Sequence, residues 1–226
     1  MIVGSGLLSS EFKKFSESLE NFLIFASGVS NSKETNINNF EREKKLLINL
    51  INNNQNLKLI YFSSVLTGII DNDYYRHKLQ VEEIIKNNCK NYIIFRIPQI
   101  VGFNGNKNNI VNFLKESVKN ENEILIYKNV YRSLIDIEDL VNIVLYCIDK
   151  TNNSLLFLSG VEKISVMELS NKIYGLLHKN PKIKEETHLL NLNWDTENDI
   201  LINQSIDFLQ INREGYNDKI LKKYIK

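Results

Sequence analysis

What this chain has little of narrows its possibilities first. Only two cysteines, Cys89 and Cys147, occur in 226 residues. That excludes a disulfide framework and a multi-cysteine zinc site. One-sided charge is missing too: 28 Lys and Arg face 27 Asp and Glu, which gives no global reason to expect nucleic-acid binding. No apolar run approaches the roughly 18 to 20 residues of a membrane span. The opening MIVGSGLLSS carries no positive segment, and Glu11, Lys13 and Lys14 interrupt its apolar stretch, unlike a secretory leader. There is no internal repeat, and His178 and His188 have no partners at metal-ligand spacing, so no metal site is expected. The setting expected is soluble, reducing and cytoplasmic, with no membrane and no nucleic-acid partner.

What is present is a hydrophobic fraction of 43%, enough for a sizeable core in a chain of this length. Short apolar runs alternate with stretches of helical period. Strands are predicted near 2–4, 22–26, 58–63, 92–96 and 155–158, the fourth stopped by Pro98. Helices are predicted at 7–20, with Leu8, Phe12, Phe15 and Leu19 near one face. Others fall at 38–53, with Phe40, Leu46, Leu47, Leu50 and Ile51 inward, and at 74–87, 109–119 and 136–149. The last of these turns Ile137, Leu140, Ile143, Val144 and Cys147 inward. A short strand is read at Ile124–Tyr127. A helix over 165–178 opens on Ser165 with Glu168 three residues later, a capping box. A short amphipathic helix closes the chain at 218–225, and the pattern from Pro181 to Asn203 is weak. Strand–helix alternation of this kind predicts an α/β fold, a parallel sheet with helices on both faces.

Chemistry-bearing residues fall at the ends of the predicted strands. Gly4-Ser5-Gly6-Leu7-Leu8-Ser9 lies between the first strand and the first helix. The first Gly allows a tight turn, the second lets backbone approach a pyrophosphate, and the helix N-terminus offers free N–H groups. Ser9 stands where a third Gly is usual. Such a turn is common in α/β proteins and does not decide the matter alone. Ser63-Ser64 closes the third strand, and Tyr74 and Lys78 share one face of the next helix at a spacing of four. An ammonium beside a phenol favours the phenolate and lowers its pKa. A hydroxyl from the adjacent strand end can bond the same substrate oxygen. The trio is a proton-transfer device aimed at a carbonyl or carbinol. His77, on the same helix turn, rotates away from the Tyr74/Lys78 face and reads as a packing or surface histidine. Cys89 and Cys147 read as inert thiols.

In their order along the chain, these pieces resemble the extended short-chain dehydrogenase/reductase family of nucleotide-sugar epimerases, dehydratases and ketoreductases. The similarity runs from the Gly turn to about residue 170. It includes Phe25-Ala26-Ser27-Gly28, Ser63-Ser64, Tyr74 and Lys78, the strand end Arg96-Ile97-Pro98-Gln99-Ile100-Val101-Gly102, and Arg132-Ser133-Leu134-Ile135-Asp136-Ile137-Glu138-Asp139. The resemblance implies a truncated Rossmann-like fold with a small C-terminal substrate lobe. Residues 1–103 and 129–160 would form the cofactor domain, and 104–128 with 161–226 the lobe. Tyr74 would be the general acid–base. Lys78 would hold the nicotinamide ribose and depress the tyrosine pKa. Ser64, or Ser63 if the register differs by one, would bond the reacting oxygen. Gly4, Ser5, Gly6, Leu7, Leu8, Ala26, Ser27, Gly28, Ser63 and Pro98 would line an NADPH or NADH site. Ser30, Asn31, Gln99 and Arg132 would face a nucleotide-diphosphate sugar, the Arg gripping phosphate as a planar fork. A homodimer through the helices near 40–53 and 74–87 is implied as well.

The chain also departs from that family. A strand–helix–strand–helix block that usually follows the Gly-loop helix, and carries the adenosine pocket, is absent. Adenosine would bind shallowly, or through Asn31, Lys33 and Arg42, or not at all. A weakly held, exchangeable cofactor suits a reductase better than an epimerase. The reading is therefore reduction of a keto group, 4-keto by preference, on a nucleotide-linked deoxysugar of surface-polysaccharide biosynthesis. A redox-neutral epimerase and a non-catalytic nucleotide-sugar-binding module are the competing readings. Trp194 reads as a core anchor of the small lobe.

Overall fold

The structure is a computed structural model that describes residues 1–103, 105, 109–188 and 197–225. Trp194 lies outside them. A five-stranded parallel sheet organises the molecule. Its strands are β1 (Ile2–Val3), β2 (Phe22–Phe25), β3 (Lys58–Ser64), β4 (Tyr92–Ile97) and, fifth in the sheet, a strand at Ser154–Phe157, paired side by side in that order. All five are where the apolar runs predict them. Phe22-Leu23-Ile24-Phe25 is buried at every position, as a strand covered on both faces must be.

Each face has its own cover. One carries α1 (Leu7–Phe12) and α5 (Ile137–Cys147); the other carries α2 (Ile37–Asn53) and α3 (Asp73–Asn88). The inward sides of α5 and α2 are as the periodicity reads them, except that Leu46 and Leu50 are half-buried while Glu43 is fully buried. The first helix is shorter than expected. Beyond Phe12 the chain tightens into 3-10 turns over Lys13–Leu19, with a non-helical Phe15. Phe12 and Leu19 still reach the core.

Beyond the sheet, β5 (Gln99–Val101) runs parallel to β7 (Tyr131–Asp136), and β9 (Lys163–Ser165) pairs antiparallel with β7. Between them lie α4 (Ile110–Lys119) and β6 (Ile124–Tyr127), and β8 is the Ser154–Phe157 strand. Glu168 N–H donates to Ser165 Oγ at 3.0 Å, the expected cap of α6 (Val166–Leu176). The described parts of the weakly patterned stretch carry regular structure. It contains β10 (Ile183–Glu186), paired parallel with β6, and the start of α7 (Ile200–Phe208). One apolar cluster runs unbroken from the sheet through α5 into α6, α7 and α8 (Tyr216–Tyr224).

Polar ties lock the last helix to the start of α5. Tyr216 OH donates to Asp139 at 2.8 Å, Tyr224 OH to Asp136 at 3.0 Å, and Lys223 Nζ to Asp136 at 2.9 Å. The Asp136 and Asp139 of the family-like segment therefore anchor the C-terminus. Among the described residues no helix is long and apolar enough to cross a membrane.

Candidate active site

At the C-terminal ends of the parallel strands the chain encloses a cavity of about 810 Å³. That is where ligands lie in open α/β sheets, and the size falls in the usual range for small-molecule sites. Ser5, Gly6, Leu7 and Leu8 line it, with Ala26, Ser27, Gly28 and Ser30 after β2. Ser63 and Ser64 of β3, Tyr74, Tyr75 and Lys78 of α3, Pro98 and Gln99 after β4, and Arg132 of β7 line it as well. Gly4 and Asn31 are not among its lining residues. Gly4 has φ +135, and a Cβ there would lie 2.3 Å from the Ala26 carbonyl oxygen. Its bareness lets the loop after β2 close onto β1, where Ala26 N–H donates to Val3 O at 2.8 Å. Asn31 Oδ1 instead accepts from Lys33 N–H at 3.1 Å.

The two adjacent serines have different surroundings, because successive strand residues face opposite ways. Ser63 turns toward α3 and donates to Glu82 Oε1 at 2.6 Å. Arg96 grips the same carboxylate twice, at 2.9 and 2.7 Å. Ser64 Oγ accepts from Leu66 N–H at 3.3 Å and acts on the neighbouring Tyr75 phenol, lowering its pKa against the effect of burial. The expected trio is thus distributed: Ser64 lies with Tyr75, while the Lys78 ammonium sits 5.6 Å from the Tyr74 ring centroid. Tyr74 and Tyr75 meet edge to face at 5.0 Å. Arg132 acts on Tyr75 electrostatically, and burial pushes that phenol up to about 12. Burial likewise pulls the Arg132 guanidinium down, with Tyr75 acting the other way.

Behind Lys78 lies Glu43, which the sequence reading missed. Its carboxylate accepts from Val29 N–H at 2.6 Å, Tyr61 OH at 2.9 Å and Lys78 Nζ at 3.3 Å, and pairs with His77 Nε2 at 2.9 Å. Lys78 Nζ also donates to Tyr61 OH at 2.9 Å. Burial alone would raise the Glu43 carboxyl; Lys78 and the hydrogen bonds from His77 and Val29 hold it at about 2. This corrects two expectations. His77 is buried, as a packing residue would be, yet it converges with Lys78 on one carboxylate rather than facing away. The Tyr74 phenol is raised rather than lowered, by burial and by the Glu43 charge. The signal was available: Phe40, Glu43, Leu47 and Ile51 share one helix face, so Glu43 occupies a core position.

The cavity suits a dinucleotide. A Cβ at Gly6 would meet nothing within 4 Å, leaving open space beside the Gly turn. Ser9 is fully buried and donates to Gly6 O at 2.9 Å, so the helix packs closely despite lacking a third Gly. Lys78 spends two of its three ammonium donors on Glu43 and Tyr61. Among the described residues no group of His, Cys, Asp and Glu gathers as metal ligands. Burial raises the thiols of Cys89 to about 11 and Cys147 to about 12.

No protein-family model and no curated protein matches the chain. Solved structures do match. A dTDP-glucose 4,6-dehydratase from Bacillus anthracis in complex with NAD superposes with TM-score 0.71 at 11% identity, covering 99% of this chain and 78% of that one. A UDP-glucuronic acid 4-epimerase from Bacillus cereus, in complex with UDP-glucuronic acid and NAD, gives 0.66 at 14% identity, covering 97% and 80%. A double mutant of a dTDP-glucose 4,6-dehydratase from Streptomyces venezuelae gives 0.72 at 8% identity, covering 94% and 75%. The chain shares the Rossmann-like α/β fold of these nucleotide-sugar dehydratases and epimerases.

Proposed function

We propose that the protein is an NAD(P)H-dependent enzyme of the short-chain dehydrogenase/reductase type that reduces a keto group on a nucleotide-diphosphate sugar. The observation that carries this is the convergence, on one cavity at the strand ends, of the Gly turn, Tyr74 with Lys78, Ser64 with Tyr75, and Arg132. The similar folds bound to NAD and to UDP-glucuronic acid support it. Ser5 to Leu8 and Ala26 to Gly28 would hold the dinucleotide, with Lys78 on a ribose. Arg132 and Gln99 would take the diphosphate. A reduced nicotinamide, when bound, supplies hydride to the carbonyl carbon. Tyr74 gives its proton to the carbonyl oxygen, the ketone becomes an alcohol, and the phenolate recovers a proton from solvent. Ser64 and Tyr75 orient that oxygen. Residues 104–128 and 161–226 would act as the sugar-binding lobe in this reading. A homodimer through α2 and α3 belongs to it as well, Ile48 and Leu79 being partly exposed on those helices.

The open β1 edge favours a cofactor that exchanges at each turnover, because no described strand extends the sheet past β1 to shelter adenosine. Calorimetric titration with NADH and with NADPH tests the proposal. Micromolar binding to protein purified free of nucleotide supports it. Copurified nucleotide turns the reading to a redox-neutral epimerase. Failure of both to bind sinks the enzyme reading and leaves a nucleotide-sugar-binding module.

A further inference from the structure

The buried carboxylate behind Lys78 has four partners and no access to solvent. Its two oxygens divide the work. Oε1 takes Tyr61 OH and Lys78 Nζ; Oε2 takes Val29 N–H and the His77 ring. A buried carboxylate is tolerated only when paired and hydrogen-bonded in this way. His77 has no other polar engagement: its Nδ1 finds no hydrogen-bond partner among the described residues, and its ring stacks on Phe40 at 4.6 Å. The pair lies directly under the cavity loop, since a Cβ at Gly28 would stand 2.9 Å from Glu43 Oε1 and 3.0 Å from Lys78 Nζ.

We propose that Glu43, oriented by His77, is a positioning residue: it fixes the Lys78 ammonium between Tyr61 and Tyr74 and cancels its charge, so that Tyr74 rests protonated and the site donates a proton rather than takes one. An ammonium alone would stabilise the phenolate. Here the carboxylate of Glu43 is the charge that acts on Tyr74, and it raises the phenol. Lys78 from α3 is met by Glu43 from α2; Glu82 is taken by Arg96; Tyr61 from β3 and Tyr75 from α3 are neutral phenols; Arg132 of β7 faces Tyr75. A chain that begins by oxidising a carbinol needs a resting phenolate to accept the proton. A chain that reduces a ketone needs the phenol. The inference therefore rests on the proposed role of Tyr74 and sets the direction of that chemistry as reduction.

The test needs neither cofactor nor sugar. The phenolate absorbance of the parent protein minus that of Tyr74→Phe, followed between pH 7 and pH 11, isolates the Tyr74 titration. In the parent, Tyr74 is expected to remain protonated to about pH 10 or above; titration below about pH 9 overturns the proposal, whatever happens to any Glu43 variant. The same difference taken in a Glu43→Gln background should fall by about one pH unit or more, and Glu43→Asp, which keeps the charge, should restore most of it. A Glu43→Gln protein that folds but leaves the Tyr74 titration unmoved overturns the proposal, because a purely structural glutamate would change stability alone. Loss of nicotinamide binding would sink the functional reading without touching this result.

Discussion

The two faces of the sheet are built from the same strands, yet they differ in what they bury. On the α1/α5 face Phe12, Ile24, Ile60, Phe95, Leu140 and Val144 meet in one apolar cluster. On the α2/α3 face Leu23, Leu47, Leu59 and Ile85 pack toward the strand N-termini. Toward the strand C-termini that face buries Glu43, His77, Lys78, Ser63 and Glu82. Apolar burial alone would hold that end more simply, since replacing buried ion pairs by well-packed hydrophobes is often neutral or stabilising. Charges kept there at the mouth of a cavity mark the face built for chemistry; the other face supplies stability.

The comparison breaks most sharply at Lys78. Lys78→Met leaves the Glu43 carboxylate buried without its counter-charge and should cost about 3–5 kcal/mol in urea unfolding. Leu140→Ala on the opposite face should cost a similar ~2–5 kcal/mol through its cavity. The two then part company: calorimetric affinity for the nicotinamide nucleotide should collapse in the first variant and persist in the second. Equal affinities would mean that the charged face does not serve the site.

Tyr74→Phe should leave unfolding within about 1 kcal/mol of the parent, because the ring keeps its packing, while kcat on a keto-sugar nucleotide falls about 10²- to 10⁴-fold. Tyr75→Phe should act mainly on KM, as suits a residue beside Ser64 and Arg132. An inverted pattern would assign proton donation to Tyr75.

Most of the scaffold was legible in the sequence because strands buried on both faces are apolar at every position, and Phe22–Phe25 or Tyr92–Phe95 can hardly be anything else. The small β6/β10 pair was half legible. Ile124–Tyr127 alternates buried and exposed, but Ile183-Lys184-Glu185-Glu186 is a polar edge strand with almost no burial to imprint a pattern. Within the site, residues that reach the cavity from strand ends were found by motif. Glu43 was missed because a glutamate on an amphipathic helix reads as solvent-facing, and its burial depends on His77 and Lys78, which arrive from another helix. Tyr75 was missed because motif spacing selects Tyr74, while its place beside Ser64 is decided by how α3 sits against β3.

Acid separates the faces again. The Glu43 carboxyl is held at about 2 in the folded protein against an ordinary 4.5. Above pH ~4.5 it is ionised folded or unfolded, and its stabilisation is complete. As pH falls below that value the unfolded chain takes up the proton first, so the contribution drains away until about pH 2. Urea unfolding between pH 5 and pH 3 should show a falling stability in the parent and a shallower fall in Glu43→Gln. Leu140→Ala should keep the parent's slope. Parallel slopes for parent and Glu43→Gln would deny the ion pair its share of stability.

The mildest test adds one methyl where the two faces do not compete. Gly28 sits after β2 with an ordinary φ, so Gly28→Ala brings no backbone strain. Its new Cβ would stand 2.9 Å from Glu43 Oε1, closer than real contacts allow, and 3.0 Å from Lys78 Nζ, a tight contact. Both atoms are pinned by other partners, Glu43 by Val29, Tyr61 and His77 and Lys78 by Tyr61, so neither can swing aside freely. The expected cost is about 1 kcal/mol of stability, a modest loss beside that of Lys78→Met. Nicotinamide affinity should nonetheless drop several-fold, because in the proposed function the displaced ammonium holds the ribose. A Gly28→Ala protein that binds nucleotide like the parent would place the cofactor away from the Lys78 side of the cavity.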